Sequence, residues 1–80
     1  MSRFRLEHSH SASECGVVFA SFKAFQSPLR GRPTVASCHF GTHRIWWDVE
    51  AATATEALGQ LPRYVAERTA AIEIRELRTP

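Results

Sequence analysis

The sequence lacks any apolar run approaching the roughly 20 residues that a bilayer-spanning helix needs, so no membrane partner is expected. Met1-Ser2-Arg3-Phe4-Arg5 passes straight into an alternating pattern, without the apolar core of a signal peptide, and the expected location is the cytoplasm. Charge of one sign is also missing. The net charge is +2 and the ten Lys and Arg are scattered, so no electrostatic footprint for nucleic acid stands out and no nucleic-acid partner is expected. No glycine-rich loop cradles a phosphate, and no CxxC or finger-spaced Cys and His pair marks a known ligand motif. Cysteine is confined to Cys15 and Cys38, which are thiols by default in a reducing compartment. Internal repeats and low-complexity segments are absent as well.

What is present fits one soluble globular domain over residues 1–80, at 44% hydrophobic and 22% charged. A chain this short buries only about 60–65% of its unfolded surface, which predicts modest stability. Two capping boxes organise it: Ser11-Ala12-Ser13-Glu14 and Thr53-Ala54-Thr55-Glu56. Before the first, Arg3 to His8 alternates with the period of a half-buried strand, Phe4, Leu6 and His8 sharing one face. After it, Cys15, Val18, Phe19, Phe22 and Phe25 recur at helical spacing.

Ser27 to Pro33 holds two prolines and a glycine and reads as a loop. Thr34 to Phe40 and His43 to Glu50 then read as a hairpin closed by a two-residue type II′ turn at Gly41-Thr42. That register pairs Phe40 with His43 and Cys38 with Ile45. A second helix follows Thr53, burying Ala54, Ala57, Leu58, Leu61 and Val65, and Pro62 kinks or restarts it. The last alternating run, Ala71 to Leu77, is expected to turn Ile72 and Ile74 inward.

The order strand, helix, strand, strand, helix, strand defines an α+β domain. It resembles the ferredoxin-like, or split βαβ, superfold: βαββαβ, with a four-stranded antiparallel sheet and two helices on one face. The phrases Phe25-Gln26-Ser27-Pro28-Leu29-Arg30 and Leu61-Pro62-Arg63-Tyr64-Val65-Ala66-Glu67-Arg68-Thr69 resemble parts of small bacterial proteins without an assigned activity. The resemblance extends to dimeric α+β barrel domains, in which two such sheets pack face to face. The open sheet face is expected to carry Arg5, Glu7, Arg44, Trp46, Asp48, Glu73 and Arg75. Trp46, flanked by Arg5 and Arg44, is the candidate centre of a homodimer interface, since a large ring among charges wants a cover.

Chain direction brings His8, His10, Cys15, Cys38, His39 and His43 to one end of the sheet. His8, His10, Cys15, Cys38 and His43 are the candidate metal ligands, because imidazole and thiolate suit zinc or copper. The bland alternative treats the cysteines as small buried hydrophobes and the histidines as solvated strand ends. Cys15, in the first turn of its helix, is also a candidate activated thiolate. No oxyanion site or substrate pocket accompanies it, which speaks against an enzyme. The favoured reading is a small binding or interaction module, homodimeric through the open sheet face. The alternatives are a metal-binding protein using the His/Cys edge, and a small dimeric α+β barrel enzyme acting on an organic substrate.

Overall fold

The computed structural model describes residues 1–80. Strand β1 spans Ser2–Ser9, helix α1 Cys15–Ser21, strand β2 Val35–Ala36, strand β3 Arg44–Ala51, helix α2 Ala54–Leu58, helix α3 Arg63–Ala66 and strand β4 Thr69–Ile74. Single 3₁₀ turns at Ala12–Glu14, Phe22–Ala24 and Cys38–Phe40 flank α1 and follow β2. The four strands form one antiparallel sheet in the order β2-β3-β1-β4.

Alternation along β1 and β3 sets the layers. Phe4, Leu6, Ile45, Trp47, Val49 and Ala51 are buried on one face, where they meet Val18, Leu29, Ala57, Leu61 and Val65 from the helical side. The opposite face carries Arg5, Glu7, Trp46 and Asp48, tied together by Arg5 donating to both Asp48 carboxylate oxygens and by the Trp46 indole N–H donating to Glu7 Oε1.

The helical layer is more broken than two continuous helices. Gly16, Val17, Val18, Phe19 and Ser21 are weak helix formers, and the Ser21 hydroxyl bonds back to the Val18 carbonyl at 2.7 Å. The α-helix ends there, and only Val18 of α1 is fully buried. Gly59 closes α2, and Pro62 restarts the chain as the residue before α3. The loop before β2 is pinned by Ser27, whose hydroxyl donates to the Gln60 carbonyl and accepts from the Leu29 N–H.

Two registers differ from the sequence expectation. The hairpin is not closed by a two-residue turn: β2 pairs only Val35 with Trp46 and Ala36 with Ile45. Side-chain oxygens take over the ladder there. Thr34 Oγ1 donates to the Trp46 carbonyl, and Ser37 Oγ accepts from the Arg44 N–H and from Thr42 Oγ1. The chain between them coils through the Cys38–Phe40 turn, which Gly41 ends at φ 95°, a left-handed conformation suited to glycine.

In β4, Ile72 lies opposite Arg5 and Ile74 opposite Arg3, so both isoleucines belong to the open face and not the core. Glu73 takes the other side, opposite Phe4, and Arg75 lies beyond the strand. Register by one residue exchanges the faces of a strand. Here it is the pairing of Thr69 with buried His8, joined side chain to side chain at 3.0 Å, that turns Thr69 and Ala71 toward the helices.

Candidate metal centre

Four elements deliver the site. β1 runs out past Ser9 to His10, whose N–H bonds to the His43 carbonyl at 3.0 Å and extends the β1–β3 pairing beyond the strand ends. Ser11 then turns the chain, its N–H donating to Glu14 Oε1 at 2.9 Å, so that Cys15 opens α1 directly above the sheet end. Cys38 begins the 3₁₀ turn after β2, and His43 precedes β3.

One ligand atom each from His10, Cys15, Cys38 and His43 lie within 4.8 Å of one another. Cys15 Sγ is 3.1 Å from His10 Nε2 and 3.2 Å from His43 Nδ1, and Cys38 Sγ is 3.8 Å from His10 Nε2. A tetrahedral zinc with bonds of about 2.0–2.3 Å has ligand-to-ligand edges of about 3.3–3.8 Å. These three separations are those edges to within a few tenths of an ångström, and no pair in the set exceeds 4.8 Å. All four residues are part-buried, and the cysteines are unpaired thiols.

Of the five candidate ligands, His8 alone stands outside this group. It is fully buried and binds His10 from behind, His8 Nε2 to His10 Nδ1 at 3.0 Å. His39, at the same end of the sheet, is exposed and does not join the cluster. The interface candidates Trp46, Arg5 and Arg44 lie on the open face, the nearest Arg44 nitrogen standing 3.6 Å from Glu7.

Electrostatics favours the neutral forms of His10 and Cys15. Burial lowers the pKa of His10, with the nearby charge of His43 acting in the same direction and Glu14 opposing. Burial, then His10, lowers that of His8. The Cys15 thiol is pushed up by burial and by Cys38 at its side. That direction is opposite to the one expected of a thiolate activated by the helix start. A neutral imidazole is a ready ligand, whereas a thiol needs a cation nearby to favour its ionised form.

Sequence reasoning missed the support beneath Cys15. Glu14 Oε2 accepts from the Tyr64 hydroxyl and, at 3.0 Å, from Arg68 Nε; the Arg68 guanidinium also lies 3.7 Å over the Tyr64 ring. The only signal was the i,i+4 spacing of Tyr64 and Arg68, which places them on one helix face. The main surface groove lies elsewhere, at the β2 edge beside Trp46 and Arg32. No helix is long and apolar enough to cross a membrane. Comparison with protein-family models, curated proteins and solved structures finds no match to the chain.

Proposed function

We propose that the chain is a zinc-binding protein in which His10, Cys15, Cys38 and His43 hold one ion in a closed, structural site. The observation that carries this reading is the convergence of four soft donors, one per residue, within 4.8 Å. Two imidazoles and two thiolates at tetrahedral spacing favour zinc over copper among the metals that such ligands suit. Four protein ligands leave no open position for a substrate, so the ion's role is to hold the chain and not to catalyse. It would tie the end of β1, the start of α1 and the β2–β3 connection, three segments that contribute little to the core. Reduced thiols fit a cytoplasmic setting. The strand order is best read as a pared-down ferredoxin-like sheet, supported by the pairing of β1 with both β3 and β4.

Native mass spectrometry of the untagged protein is expected to show one zinc per chain. At free zinc a thousandfold above its Kd, binding adds about 4 kcal/mol to stability. For a domain of this size that corresponds to a melting temperature about 15 °C or more above the chelated form. Cys38→Ser should abolish both the bound ion and the response to chelator. A metal-free native spectrum after zinc reconstitution, with a melting temperature indifferent to chelator, would refute the reading.

A second reading, homodimerisation through the open sheet face, is favoured by the register of β4. It adds Ile72, 47% exposed, to the face that carries Trp46 and the exposed Val35.

A further inference from the structure

His8 is a fully buried imidazole, its ring centroid 6.2 Å from that of Trp47. Both of its nitrogens are engaged. Nδ1 meets Thr69 Oγ1 at 3.0 Å, Nε2 meets His10 Nδ1 at 3.0 Å, and Thr69 Oγ1 is 2.6 Å from the Val65 carbonyl.

The direction of every link follows from the last one. A carbonyl only accepts, so the single hydroxyl proton of Thr69 goes to Val65. Thr69 Oγ1 must then accept from His8, which places the His8 proton on Nδ1. A neutral imidazole protonated there has its lone pair on Nε2, which accepts from His10 Nδ1–H. His10 is left with its lone pair on Nε2, the atom 3.1 Å from Cys15 Sγ and 3.8 Å from Cys38 Sγ. A backbone carbonyl of α3 thus dictates which nitrogen of a residue beyond β1 is free to bind a cation.

We propose that His8 is the positioning residue of the metal centre: relaying from Val65 through Thr69, it fixes the His10 tautomer and ring orientation with Nε2 presented to the ion. The proposal rests on the zinc reading for its metal, but not for the tautomer it assigns. It accounts for the burial of His8, which no apolar packing argument requires. Such partners of metal-bound histidines typically change metal affinity by about 10–100-fold when removed.

The test compares His8→Met, which keeps an apolar-compatible volume but offers His10 no strong acceptor, with His8→Gln, whose side-chain oxygen can still accept from His10 Nδ1–H. Zinc affinity is measured by competition with a chromophoric chelator, and ligand geometry by the visible bands of the cobalt-substituted protein. The expected result is a loss of about 10–100-fold in affinity with shifted cobalt bands for His8→Met, and substantial recovery of both in His8→Gln. Equal affinity and an unchanged cobalt spectrum in His8→Met would overturn the proposal, as would a His8→Gln variant no better than His8→Met.

If His8→Met does not fold, Thr69→Val carries the test, with a weaker zinc affinity expected and an unchanged one overturning the proposal. Nitrogen-15 spectra of the metal-free protein separate the two readings. Should the unmutated chain bind no zinc, the proposed function fails, yet His10 is still expected as the Nδ1–H tautomer. A His10 found protonated on Nε2 instead would sink the positioning role by itself.

Discussion

Glu14 holds the first turn of the helical layer from two sides. Its carboxylate accepts from the Ser11 N–H and hydroxyl within the chain's own cap, and across the layer from Tyr64 on α3 and Arg68 in the turn after it. These bonds, led by the Ser11 N–H, pull its pKa down from 4.5 to about 2. The neighbouring residue is Cys15, so the same contacts set where that sulfur sits. Glu14→Ala is expected to lower the melting temperature of the metal-free protein and to weaken zinc binding by less than the roughly tenfold or more expected for the loss of a ligand's direct partner. Calorimetric melts and chelator competition read the two effects separately. An unchanged melting temperature would show that the cap and the α3 contacts are idle. The capping half of this role was legible from Ser11 and Glu14 alone. The half played by Tyr64 and Arg68 was not, because partners 50 and 54 residues away are chosen by packing.

Among the elements, β1 does the most. It is the central strand that pairs with both β3 and β4, and Leu6 at its middle is fully buried between Trp47 and Ala71. Leu6→Ala removes side-chain volume where neighbours on both strands are fixed by the ladder, and should cost about 2–5 kcal/mol. Chemical denaturation checks this, with the midpoint falling while the slope stays constant. A loss below about 1 kcal/mol would show that the sheet centre collapses around the cavity. The alternation of β1 and β3 revealed their faces because each has a buried and an open side. Edge strands gave weaker signals. β2 shrank to Val35–Ala36 because Thr34 and Ser37 satisfy the β3 backbone with side-chain oxygens. The faces of β4 were misassigned because the Thr69–His8 bond, and not the isoleucines, goes with its register.

For the whole molecule the central quantity is the core, eleven buried hydrophobic residues in a chain of 80. Domains of this size often add a staple to such a core, and the His/Cys cluster lies at one end of the sheet, where its four residues are only part-buried. The other open demand is the uncovered face, where Trp46, Val35 and Ile72 share a surface with the ion pairs Arg5–Asp48 and Arg44–Glu7. Trp46→Glu is expected to convert a dimer to a monomer while leaving the melting of the metal-loaded subunit nearly unchanged. Light scattering that finds the unmutated protein monomeric at high micromolar concentration would exclude this interface. By itself, the sequence determined the α+β class, the buried faces of β1 and β3, both capping sites and the gathering of histidine and cysteine at one end. Those follow from periodicity, local hydrogen bonding and chain direction, which act between near neighbours. Only the tertiary structure decided that His10, Cys15, Cys38 and His43 converge while His8 stands behind them. That choice depends on ångström-scale placement by four separate elements and on a hydrogen-bond chain ending at Val65, and neither has a signature in local spacing.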